Sequence, residues 1–258
     1  MNPTFPVQLS AGLVAVFLIL VARGTGEQVK RVGKNQREGP HQALIQVEDE
    51  PGLARVLLIG DSISIGYTVP VRELLRGKAN VHRPLANCAA TSNGIEKIDE
   101  WLGDKPWDVI HFNWGLHDLK YMGPNGENLV DPGSSDNHQN VPIDEYENNL
   151  RRLVARLKET GASLIWCSTT PVPEGAQGRV SGDSARYNEV AARIMTENGV
   201  AIDDLHAFAE PRLKEMQRRG NVHFTDQGYK DLAGHVVLSI EKALQHSVPS
   251  SSSLSGRR

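Results

Sequence analysis

Four short stretches of this chain are apolar almost without interruption: RVLLIG at 55–60, DVIHFNW at 108–114, ASLIWC at 162–167 and VAID at 200–203. A strand apolar at successive positions buries both of its faces, which requires a parallel sheet covered by helices on each side. A weaker fifth strand is expected at 80–85. Between the runs lie segments with helical apolar spacing at 146–159, 184–198, 205–219 and 225–245. In the first of these Leu150, Leu153, Val154 and Leu157 form one face, with charges opposite. The pattern predicts an α/β fold, a doubly wound three-layer sandwich. Such sheets bind ligands at the carboxyl ends of their strands. GDS at 60–62, NWGLHD at 113–118, CSTTPV at 167–172 and DDLH at 203–206 all fall on that edge.

The flanks are of another kind. Residues 11–22 form an uncharged apolar run followed by small residues, so 1–26 read as a signal peptide, although no Lys or Arg precedes the run. An uncleaved anchor is the rival reading, and a dozen apolar residues fall short of the roughly 20 that span a bilayer. Export to a secreted, periplasmic or cell-surface location is the expectation, with membrane contact only if the segment stays uncleaved. Residues 27–52 read as a polar linker, 53–246 as one domain and 247–258 as a disordered low-complexity tail. A net charge of −3, with no basic cluster interleaved with aromatics, makes nucleic acid an unexpected partner.

Two polar positions suggest chemistry. Ser62 follows the first strand and opens a helix, where its hydroxyl is exposed and backbone N–H groups face a developing oxyanion. The bland reading of Asp61 and Ser62 is a helix cap. His223, in NVHFTDQGY, lies in a loop just before the last helix, which Thr225 or Asp226 would cap. Taken alone it is a structural or solvated histidine. Paired with a hydroxyl it is the usual base.

GDSIS at 60–64, SNG at 92–94, NWGLHD and VHFTDQGY stand in the order of the four sequence blocks of the GDSL-type, or SGNH, hydrolases, and the chain resembles that family over residues 55–245. The resemblance implies a flavodoxin-like α/β/α sandwich with a five-stranded parallel sheet, and esterase chemistry without a cofactor. It implies Ser62 as nucleophile, His223 as base, and an oxyanion hole of the Ser62 and Gly94 N–H groups with a side chain from the third block. That block carries His117 where the family has an asparagine; a histidine ring can donate the hydrogen bond, and Asn113 is the substitute, unless it only seals the strand end. The family's aspartate three residues before the histidine is Gly220 here. Either Asn221 orients the ring, or a backbone carbonyl does and Ser62 and His223 form a dyad.

Asp61 is expected to hold its own turn, and Asp118 to brace or cap the block around His117. Tyr67 and Tyr121 suit either a pocket wall or packing. His111 and His206 show no metal-ligand spacing, so no metal is expected, and no dinucleotide or Walker motif is present. The polar connection 121–142 leaves the third strand's carboxyl end and is expected to flank the site. In the family's strand order 2-1-3-4-5, Cys88 and Cys167 end strands about 14 Å apart, beyond disulfide reach, so two free thiols are expected. The reading is an esterase acting on small-molecule or carbohydrate esters, with a short acyl or acetyl group on carbohydrate foremost. Its rivals are a catalytically weakened carbohydrate-binding or scaffolding protein and an acyltransferase of the same fold.

Overall fold

The structure is a computed structural model that describes residues 42–247; the apolar run at 11–22 and the tail from 248 onward lie outside the described residues. In chain order the strands are β1 (Ala54–Ile59), β2 (Ala79–His82), β3 (Val109–Phe112), β4 (Tyr121–Met122), β5 (His138–Gln139), β6 (Ser163–Cys167) and β7 (Ala201–Asp203). The helices are α1 (Ser62–Leu74), α2 (Thr91–Leu102), α3 (Ile143–Lys158), α4 (Asp183–Asn198), α5 (Leu205–Ala209), α6 (Leu213–Met216) and α7 (Asp226–Ser247). Five strands form one parallel sheet in the order β2-β1-β3-β6-β7. This is the α/β sandwich expected from the uninterrupted apolar runs. Val56 to Ile59 and Val109 to Phe112 have essentially no exposed surface.

Three elements differ from expectation. The helix expected over 205–219 is broken into α5, a 3-10 turn at Glu210–Arg212 and α6, because Pro211 supplies no N–H to a helical ladder. Helix α2 carries no clear signal in the sequence, since its buried side rests on Thr91, Gly94, Ile98 and Leu102, too sparse an apolar stripe to stand out. The last part of the expected linker packs on the domain. Asn80 Nδ2 donates to the Glu50 and Leu53 carbonyls, Glu50 N–H donates to Asn80 Oδ1 at 2.8 Å, and Asp49 pairs with Arg55, His82 and Lys105. That segment lies beside edge strand β2, the kind of edge that needs cover. Cys88 and Cys167 are free and buried, and burial pushes the Cys88 thiol up to about 11. Among the described residues no helix is long and apolar enough to cross a membrane.

Helices α1 and α7 pack on each other, with Gly66 of α1 set against Tyr229 of α7. A Cβ there would lie 2.1 Å from the Tyr229 ring, so only glycine lets the helices approach this near. Gly66 is one turn beyond Ser62, and Tyr229 is six residues beyond His223. Gly66→Ala is expected to destabilise the fold by about 1–3 kcal/mol, read as a lowered midpoint in urea unfolding; an unchanged midpoint would show that the helix contact has slack.

Candidate active site

Strand β1 ends at Ile59 and the chain turns directly into α1, so Ser62 is the first residue of the helix and half-buried. Asp61 is the N-cap, its carboxylate accepting from Ile63 N–H at 2.9 Å. The expected turn-holding role of Asp61 is what the structure contains. Ser62 N–H has no acceptor among the described residues, and it sits at the positive end of the α1 dipole.

His223 Nε2 lies 2.9 Å from Ser62 Oγ, across 161 residues of sequence. Its Nδ1 lies 2.7 Å from Asn221 Oδ1, which also accepts the His223 backbone N–H at 2.9 Å. Only an amide oxygen can accept from a backbone N–H, so the Asn221 amide orientation follows, and Nδ1 must be the ring's donor. Nε2 is then left unprotonated toward the serine. Gly220 adopts φ +61° in the turn that places Asn221, whose N–H donates to Arg218 O, while Arg218 N–H donates to His223 O. A left-handed turn residue thus occupies the position where an aspartate was missing. Thr225 caps α7, accepting from Gly228 N–H at 3.0 Å.

The other expected donors fare differently. Gly94 N–H is not free: it donates to Ala90 O at 3.1 Å as part of the α2 ladder, which corrects the expectation that it faces an oxyanion. A Cβ at Gly94 would stand 2.9 Å from the Trp114 ring and 3.0 Å from Leu153, so this glycine serves close packing. Asn113 is likewise committed, its Nδ2 donating to Cys167 O at 2.7 Å and Thr169 Oγ1 at 3.2 Å; it seals the ends of β3 and β6. His117 is half-buried in the turn after β3, with its carbonyl accepting from Asn140 Nδ2. Burial holds its ring below the ordinary imidazole range, with Asp61 opposing and Lys120, Arg179 and His223 reinforcing the shift. Asp118 caps α2, accepting from Thr91 N–H at 2.8 Å and Thr91 Oγ1 at 2.5 Å, and burial pushes its carboxyl up to about 7. The connection 121–142, through Asn140, braces the third-block turn.

Two arginines escaped the sequence reading. Arg83 is buried and donates to Gly60 O, Ala86 O, Pro84 O, Ser64 Oγ and Thr68 Oγ1. It clamps the turn that carries Ser62, and nothing in its sequence neighbourhood signals this. Arg179 donates Nε to Leu116 O at 3.0 Å beside the third-block turn. Ala89 stands at φ +49° in the loop entering α2, a region non-glycine residues rarely occupy and one enriched at functional loops. Tyr67 is core. His111, Cys167 and Asp203 place possible ligand atoms within 4.8 Å of one another. His111 Nε2 is bonded to Asp203 Oδ2 at 2.8 Å and neither side chain has exposed surface, which fits a hydrogen-bonded core pair.

The sequence profile of the GDSL-like lipase/acylhydrolase family matches residues 58–230. The chain belongs to this family. It is by membership an enzyme of the esterase class, and both the serine block and the histidine block fall inside the match. Among curated proteins, none matches. Solved structures similar to it include the acetyl xylan esterase AlAXEase (15% identity, TM-score 0.57, covering 72% of this chain and 99% of that one). A lipase/acylhydrolase from Enterococcus faecalis shows 16% identity and TM-score 0.59, covering 74% and 96%. A catalytic mutant of Axe2, an acetylxylan esterase from Geobacillus stearothermophilus, shows 20% identity and TM-score 0.59, covering 72% and 94%. At these identities the likeness is one of fold.

Burial lowers the His223 imidazole, Asp61 opposes the shift, and Arg179 and Arg218 add to it. Its titration followed by NMR is expected to give a midpoint below the ordinary value of about 6.5. Asn221→Asp places a carboxylate on Nδ1, stabilises the imidazolium and should raise the midpoint. A wild-type value above the ordinary one, or no rise in the variant, would contradict the geometry.

Proposed function

We propose that the protein hydrolyses carboxylic esters through an acyl-enzyme on Ser62, with a short acyl group such as acetyl on a carbohydrate alcohol as the substrate. The observation that carries this reading is the hydrogen-bonded chain Asn221–His223–Ser62 at the carboxyl edge of the sheet. Ser62 Oγ attacks the ester carbonyl carbon as its proton passes to His223 Nε2. The tetrahedral oxyanion is held by Ser62 N–H and the His117 ring. Collapse breaks the bond to the alcohol oxygen, which takes the proton from His223. Once the alcohol has left, water attacks the acyl carbon and gives its proton to His223; the bond to Ser62 breaks, the serine takes that proton from His223, and the acid leaves.

Asn221 holds the ring and its tautomer, and supplies no charge to the imidazolium. Support for a carbohydrate substrate comes from the acetyl xylan esterases of similar fold. We further propose export or surface anchoring, resting on the apolar run at 11–22.

A fluorophosphonate probe is expected to label Ser62, with the site mapped by mass spectrometry, and Ser62→Ala should reduce p-nitrophenyl acetate turnover by at least about a thousandfold. Absence of label in folded protein, with turnover unchanged in the variant, would reject the reading and favour a binding protein. His117→Ala is expected to lower kcat by roughly tenfold to a hundredfold with little change in KM. An unaltered kcat would remove His117 from the oxyanion hole.

A further inference from the structure

The His117 ring has no hydrogen-bond partner among the described residues, so its place depends on the backbone that carries it. That backbone is held from outside. Three successive carbonyl groups of the third-block turn accept hydrogen bonds from other segments: Leu116 O from Arg179 Nε at 3.0 Å, His117 O from Asn140 Nδ2 at 2.9 Å and Asp118 O from Val141 N–H at 2.9 Å. The bond on the peptide of His117 itself is the one made by Asn140, through a side chain that can be exchanged.

Asn140 is itself fixed on both sides. Strands β4 and β5 pair antiparallel, with Met122 opposite His138 and Tyr121 opposite Gln139. The next step of that register sets Asn140 against Lys120, where its N–H donates to Lys120 O at 2.7 Å. The far side of β5 is tied to α4: Gln139 Nε2 donates to Asp183 Oδ2 at 3.0 Å, and the Tyr187 hydroxyl donates to Val141 O at 2.7 Å. The polar connection that leaves β3 thus returns to the turn it left and delivers one amide to the peptide of His117. A donor aimed at developing charge is most effective when it does not have to reorganise, and a small misplacement costs rate rather than binding.

We propose that Asn140 is a positioning residue of the oxyanion hole: by holding the His117 carbonyl it fixes the peptide from which the His117 ring reaches the tetrahedral oxyanion, and it acts on the reaction only through that ring. The inference rests on the acyl-enzyme reading above and gives the 121–142 connection a part in it.

The test is a double-mutant cycle on kcat and KM for p-nitrophenyl acetate, in wild type, Asn140→Leu, His117→Ala and the double variant, with Ser62→Ala as reference. Asn140→Leu keeps the side chain's volume and removes its donor. Asn140 is half-buried, so Asn140→Ala serves in its place should the leucine variant not fold. Loss of the donor is expected to lower kcat by about threefold to thirtyfold and to leave KM within about twofold. In the His117→Ala background the same substitution should change kcat by no more than about twofold, because the two residues act as one unit. An effect on the fold at large would instead lower activity equally in both backgrounds. Wild-type kcat in the Asn140 variant, losses that multiply in the double variant, or an unaltered kcat in His117→Ala would each overturn this inference, while Ser62-dependent turnover left the acyl-enzyme reading standing. Turnover that persists in Ser62→Ala would overturn the reading beneath it.

Discussion

A parallel sheet buried on both faces sends every strand's carboxyl end to the same edge, and the rest of this molecule follows from that constraint. Ser62 leaves β1, His117 follows β3 and the loop from Cys167 leaves β6, so residues far apart in sequence are delivered to one rim. His223 comes from no strand. It reaches the rim because α7 lies against α1 at the Gly66–Tyr229 contact, which brings the loop before α7 over the start of α1. Arg83 completes the framework by spending its buried donors on the carbonyl and hydroxyl groups around Gly60 and Ser64. A buried guanidinium with so many acceptors holds a turn rigid, and removing it would leave several buried oxygens unpaired.

The electrostatics of the proposed centre differ from a histidine backed by a carboxylate. Asn221 fixes the ring by hydrogen bonding alone, and the anion that acts on it is the capping Asp61. A lower imidazole pKa keeps the base neutral at mildly acidic pH and makes the imidazolium a better proton donor to the leaving alcohol, but a weaker acceptor from serine.

Much of the fold was legible because continuous apolar runs at 55–60 and 108–114 leave few alternatives to a covered parallel sheet. The order of the four blocks pointed to the family and to Ser62, His223 and Asn221, which the structure brings into one hydrogen-bonded chain. What remained hidden was set by tertiary contacts. Gly94 reads as an oxyanion residue by motif, yet its N–H is claimed by helix α2, whose sparse apolar stripe gave no sign of a helix. Arg83 sits in a weak strand run, and only the packed structure reveals its acceptors. The stretch 42–52 looks like a spacer because, Ala43 apart, it is held by pairing Asn80 along a strand edge rather than by burying apolar residues.

The central claim is that Ser62 carries the acyl group between two half-reactions. Rapid acid quenching during turnover of an acetyl ester, followed by peptide mass spectrometry, tests this directly. The account predicts one acetyl group on the peptide containing Ser62, accumulating and decaying in step with turnover. Steady turnover with no acetylated Ser62 peptide at any quench time, or with acetyl on another residue that tracks turnover, would contradict it.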